Sequence, residues 1–338
     1  FLGGAGSRLL PFSVPFRFFA AATLFHVAAW AVLAIGADEA VGFAGGPGLP
    51  LAALHLLTLG VLSLTAIGAS AQLLPVATRQ PIRAIWPLHI AFWLILPGIV
   101  VLTYGMATGV VAAMESGGAL TVAALGIFAV LLADNLRRAK GAGLVGAHGW
   151  VALISLAVLV ALGLLMIGTY QAPILADLRA ATLAHMIAAA LGFMGMLALG
   201  FSYVLIPMFA LSPAVDEKLG RTETAVATAA VALGVGGALF APLLVVVAVF
   251  MGIIAAALHV YALSRALAKR MRKRLGLSFV LVRAAWALLL LTILLGAALA
   301  LGLDVPGGIT LFGFVLLFGW LLTFVTGVLQ RIMPFLAA

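Results

Sequence analysis

The stretch from His55 to Pro75, HLLTLGVLSLTAIGASAQLLP, opens with a titratable ring and then runs twenty residues without a charge. A hydrocarbon core ~30 Å thick needs ~20 apolar residues per helical crossing, and backbone in lipid can satisfy its own polar groups only in helices or closed barrels. The whole chain reads the same way. Of its 338 residues 66% are hydrophobic and only 8% charged, with a mean hydropathy of +1.32, far from the composition of a soluble domain. Long runs of Ala, Leu, Val and Gly select helices, so the sequence predicts an all-α polytopic transmembrane bundle. Spans are expected at 15–36, 51–77, 84–109, 117–136, 148–170, 181–209, 222–240, 241–264, 279–302 and 308–335. Pro242 is the only punctuation between the seventh and eighth.

The cations orient this set. Lys and Arg collect in short cytoplasmic loops, and with an inside N-terminus 17 of the 18 basic residues fall on that face, Arg179 being the exception. The expected location is a bacterial-type inner membrane with the N-terminus cytoplasmic. The net charge of +9 is then a topology signal and needs no nucleic acid. The run RALAKRMRKR, 265–274, reads as a stop signal on a cytoplasmic loop, with anionic headgroups as the alternative partner. No span resembles a cleaved signal peptide, and the start at Phe1 suggests a missing N-terminus. The nine acidic residues are expected in loops, Glu223 among them, which argues against an intramembrane carboxylate path. Cysteine is absent, which removes thiolate metal sites, disulfides and covalent haem attachment.

The opening stretch obeys H-x4-G-x7-G-x6-P through Gly60, Gly68 and Pro75, and the glycine and proline spacing returns twice. The segment HMIAAALGFMGMLALGFSYVLIP, 185–207, carries Gly192, Gly200 and Pro207, and GWLLTFVTGVLQRIMP, 319–334, carries Gly319, Gly327 and Pro334. Chance supplies roughly 0.2 such matches in a chain of this composition. The copies stand 132 and 127 residues apart, with four expected spans in each interval. Three pseudo-symmetric four-helix units follow: 1–140, 141–270 and an incomplete 271–338, with two further helices expected after Ala338. Small residues that let helices approach explain the glycines without a cofactor.

They do not explain the histidines. His55 and His185 sit at the heads of equivalent outward-starting helices, and His26 shares their depth; His89, His148 and His259 lie toward the cytoplasmic half. Imidazole in hydrocarbon is costly without a partner, so each is a functional candidate, weighed against a hydrogen-bonded core or interfacial residue. On its helix His185 is followed by Ala188, Ala189 and Gly192, a face clear enough for a flat macrocycle, and Ala255, Ala256 and Ala262 make a similar clearing beside His259. His89, between Trp86 and Trp93, reads as an interfacial residue, and His148 as solvated at a span edge. Met166, Met194, Met196 and Met208 read as packing rather than soft ligands.

With the helix layout and these motifs in view, the chain resembles the catalytic subunit of haem–copper oxidases and nitric oxide reductases, and its histidine-led second helix is similar to that of the haem- and copper-containing NnrS family. The resemblance implies that His55 ligates a low-spin haem and that His185 ligates copper. The rest of the ligand set is missing: Ala189 stands where a tyrosine is expected, the seventh helix has no histidine pair, and the tenth has no H-x-H. What the resemblance then implies is a membrane haem b protein for electron transfer, an oxidoreductase or an accessory in a respiratory or nitric oxide system, without dioxygen reduction. His55, His185 and His26 are its first cofactor-binding candidates, with His55 and His185 as ligands of haem iron or alternatively copper, and His89, His148 and His259 form the second set. Partners would be the lipid bilayer and other respiratory or redox subunits or a cytochrome. The competing readings are a cofactor-free structural or accessory subunit and a transporter.

Overall fold

The computed structural model describes residues 9–139, 141 and 143–337, with side chains as far as residue 334. Arg8 and Lys140 of the topology argument, and the helices expected after Ala338, lie outside the described residues. Ten helices are long and apolar enough to cross a membrane: α1 Ser13–Ile35, α2 Leu49–Thr78, α3 Trp86–Thr108, α4 Val111–Arg138, α5 Gly143–Thr169, α6 Leu178–Ala210, α7 Glu217–Phe240, α8 Pro242–Ala268, α9 Leu277–Ala300 and α10 Gly308–Pro334. No strand occurs among the described residues. The protein is an all-α polytopic membrane protein, with each expected span present.

Helices α4, α5, α6 and α7 begin three to six residues earlier than hydropathy suggests; in α6 and α7 the early first turn is capped rather than unwound. Asp177 and Asp216 are N-caps whose carboxylates accept from the backbone N–H groups of Ala180 and Leu219 at 3.0 and 2.9 Å. The break between α7 and α8 falls where expected: Ala241 is extended (φ −155°, ψ 91°), as the residue before a proline prefers, and Pro242 opens the next helix.

The described chain forms two compact units: residues 1–140 with 160–176, and residues 141–159 with 177–338. In the first, α1 packs on α2 and α3 on α4. In the second, α5 packs on α6, α7 on α8 and α9 on α10.

The repeated glycines do the same work three times. A Cβ on Gly60 would lie 2.6 Å from the Cβ of Phe25, and one on Gly68 3.1 Å from the Cβ of Phe18, both on α1. Gly192 faces Ser155 and Gly200 faces His148 on α5, the latter at 2.6 Å from Cβ to Cβ; Gly319 faces Leu288 and Gly327 faces Leu281 on α9, at 3.4 and 3.0 Å. Each partner pair (Phe18 and Phe25, His148 and Ser155, Leu281 and Leu288) is spaced by seven, while the glycines are spaced by eight. Two α-helical turns take about seven residues, so the glycine helix must absorb one extra residue to stay in register. It does so by π-helical winding at Leu56–Ser63, Ile187–Gly195 and Val315–Leu322, each segment enclosing the first glycine of its repeat. The hydroxyls of Ser63 and Thr323 reach the carbonyls five residues back, Thr58 and Phe318, at 2.9 and 3.0 Å, as the wider turn requires.

Gly192→Ala therefore meets the Ser155 side chain head on. We expect it to lower stability by about 1 to 3 kcal/mol, and Ser155→Gly in the same protein to restore most of that loss. Thermal melting of the two single variants and the double variant in detergent measures the coupling. Additive effects would mean that the two residues do not share the notch.

Candidate functional site

The polar side chains that converge inside the second unit come from four helices. His148 stands on α5, Tyr203 on α6, Glu223 and Thr224 on α7, and His259 on α8. At 1.5 Å per residue they sit roughly 8 to 14 Å inside the helix ends that border the basic loops, so they share one depth. Helix α7 presents Glu223 inward because Gly220, Glu223, Thr224, Ala227, Gly234 and Gly237 recur at spacings of three, four and seven and form its buried stripe. Gly200 lets α5 approach until the His148 ring lies over the α6 backbone.

His148, Glu223 and His259 are all 0% exposed. Tyr203 donates its hydroxyl to Glu223 Oε2 at 2.9 Å, and His148 Nε2 stands 3.2 Å from the same oxygen, close but without an aligned hydrogen bond. The other carboxylate oxygen, Oε1, lies 4.0 Å from His259 Nδ1, and neither atom has a hydrogen-bond partner among the described residues. The Tyr203 ring makes edge contacts with both imidazoles, at centroid distances of 5.7 Å to His148 and 5.0 Å to His259. Of ten buried side-chain polar atoms without a partner among the described residues, four belong to this cluster. Such atoms are rare in folded proteins and mark places where a proton, water or ligand is handled.

The proton count of the cluster follows from its hydrogen bonds. His148 Nδ1 lies 2.9 Å from the Leu144 carbonyl, which only accepts, so Nδ1 carries a hydrogen. Thr224 agrees: its hydroxyl donates to the Gly220 carbonyl at 2.8 Å, leaving its oxygen, 3.4 Å from Nδ1, as a second acceptor. Nε2 then faces the carboxylate either as the N–H of an imidazolium or as a lone pair opposite a protonated carboxyl group. A proton placed between Nε2 and Oε2 can therefore come from either partner. Among the described residues no three His, Asp or Glu side chains converge as metal ligands.

The histidine candidates separate accordingly. Of the second set, His148 and His259 meet around Glu223, while His89 belongs to the first unit, where Arg17 Nη1 stands 2.7 Å from its Nδ1. The expectation that His148 is solvated is corrected: it is buried, because α5 starts well before the hydrophobic run does. The expectation of a loop position for Glu223 is corrected for the same reason on α7. His26 accepts the Trp30 indole N–H at Nε2, 2.8 Å, and is half-buried. His55 and His185 belong to the first and second units respectively, and each directs Nδ1 at a carbonyl, Leu51 at 3.0 Å and Leu159 at 2.8 Å.

Neighbouring helices close on part of the clearings expected beside His185 and His259, while Ala189 stays half-buried. Ser155 on α5 and Val231 on α7 occupy the Gly192 notch. Ala255, Ala256 and Ala262 are no more than 4% exposed. Small residues here bring helices together. Tyr203 and Glu223 were outside every sequence candidate set. For Glu223 a signal existed in the small-residue stripe of α7, but the flanking charges of EKLGRTE disguised the segment as a loop. The chain matches no protein-family model and no curated protein sequence.

Proposed function

We propose that the protein is a proton-coupled membrane protein in which Glu223, set between His148 and His259, takes up and returns one proton within the bilayer. The observation that supports this is the commitment of His148 Nδ1 to the Leu144 carbonyl, which leaves a single proton to be shared by Nε2 and the carboxylate. Ionisable groups inside a membrane bundle commonly form proton relays. His259, with both ring nitrogens unpartnered, faces Oε1, so that a carboxyl protonated at Oε1 releases that proton to His259 as Oε2 receives one from His148, after a small approach or through one water. Tyr203 holds the carboxylate in place for both exchanges. With the basic loops facing the cytoplasm, the site loads from that side.

The test is infrared difference spectroscopy of the purified protein across a pH titration, paired with proton flux into proteoliposomes. Wild type should show a carboxylic C=O band that titrates and vanishes in Glu223→Gln, and the same variant should reduce flux to the level of empty vesicles. A titration unchanged by Glu223→Gln, or equal flux through variant and wild type, overturns the reading.

A redox role has one specific observation in its favour. The Nδ1–H bonds of His55 and His185 place the lone pair of each ring on Nε2, the form in which histidine ligates iron or copper. Haem b or a cuprous ion held by either ring would be seen as a reduced-minus-oxidised absorbance change, or as stoichiometric copper, lost in whichever of His55→Ala and His185→Ala removes its ligand. A featureless spectrum and no copper in protein expressed with both supplied would leave these rings with a structural role.

A further inference from the structure

Where α8 ends and α9 begins, two adjoining clefts of about 450 and 210 Å³ share Arg270 and Arg283 in their walls. The larger runs along Val260, Trp286 and Leu290; the smaller adds Lys273. From Thr224 to Leu303 the chain has seven cations and no carboxylate, so nothing local in sequence neutralises this face. Arg270 uses Nη1 on the Leu267 carbonyl at 3.0 Å, and Arg283 has no hydrogen bond or ion pair among the described residues.

A second observation points to an acceptor. Trp286 is 5% exposed and its indole Nε1 has no partner among the described residues, yet the residue lines the same cleft as the two arginines. An indole N–H only donates. The cleft is also graded: its cationic end lies at the 269–276 loop, while Val260 stands about 12 Å further along α8, toward the apolar interior. Cationic donors at the boundary and an apolar channel leading inward are the chemistry of a phosphodiester with an acyl chain attached.

We propose that this cleft binds one anionic phospholipid. Its phosphate sits against Arg270, Arg283 and the Trp286 N–H, and a chain lies along Val260 and Leu290. The site shares no residue with the Glu223 cluster and stands or falls independently of it. Lipid occupancy would fix the spacing of α8 and α9.

The experiment is native mass spectrometry of the whole chain in neutral detergent, titrated with phosphatidylglycerol or phosphatidylcholine. Wild type should retain phosphatidylglycerol about twenty-five-fold better, from a factor of about five for each of the two arginines near an anionic headgroup. Arg270→Gln/Arg283→Gln should bring the two lipids to parity, and Trp286→Phe should weaken the preference while keeping the ring. Arg79→Gln/Arg83→Gln, on the α2–α3 loop, should leave it unchanged. Equal retention of both lipids by wild type, or a preference that survives the double arginine variant, overturns the proposal. Should the double variant fail to fold, an unchanged preference in Trp286→Phe overturns it alone. Displacement of the lipid by millimolar inorganic phosphate would make this a free-phosphate site and overturn it equally.

Discussion

Glu223→Leu is expected to destabilise the second unit by about 3 to 5 kcal/mol, the cost of removing one partner from a buried charged pair. Leucine leaves His148 Nε2 and the Tyr203 hydroxyl buried without their partner. Glu223→Gln should cost no more than about 1 to 2 kcal/mol, because the amide oxygen still accepts from Tyr203 or its NH2 group turns to the His148 lone pair. Adding His148→Leu to Glu223→Leu should recover part of the loss, a non-additive result that marks the two as one network. Thermal melting in detergent, followed by tryptophan fluorescence, separates the variants. If Glu223→Leu melts with wild type, the cluster contributes nothing to the fold and its assignment as a paired site is wrong.

The second large effect concerns α3 and α4, which pack through backbone rather than side chains. A Cβ on Gly117 would lie 2.7 Å from the Leu102 Cα and 2.8 Å from the Gly98 carbonyl oxygen, atoms that cannot rotate away. Gly117→Val should therefore cost more than about 3 kcal/mol, the upper range for overpacking, and we expect little folded protein by size-exclusion chromatography. Gly126, nine residues along the same helix, is exposed, and a Cβ there meets nothing within 4 Å. Gly126→Ala should be neutral or stabilising by up to about 1 kcal/mol through helix propensity. Equal behaviour of the two variants would show that the α3–α4 approach is looser than the structure has it.

Much of the fold was legible in the sequence because its cause is local. An unbroken apolar run of sufficient length crosses a membrane whatever its neighbours do, so ten candidate spans follow from composition and length. The threefold pattern was legible too, since a glycine at an approach point leaves a fixed mark on the chain. Its odd x7 interval carried more than packing: eight residues against seven is the trace of a π turn, readable once the partner helix is known. The site was not legible in the same way. The proton-sharing cluster depends on which residues of four different helices meet, and a linear pattern records direction around one helix but no distance to another. His148 and Glu223 looked like boundary residues because hydropathy averages over a window and cannot see a helix that begins before the apolar run does. The alanines and glycines beside His185 and His259 looked like empty space, although a missing side chain is filled as readily by a neighbouring helix as by a cofactor. Only the packed structure decides between those two, because close packing is a property of the pair of surfaces and not of either one alone.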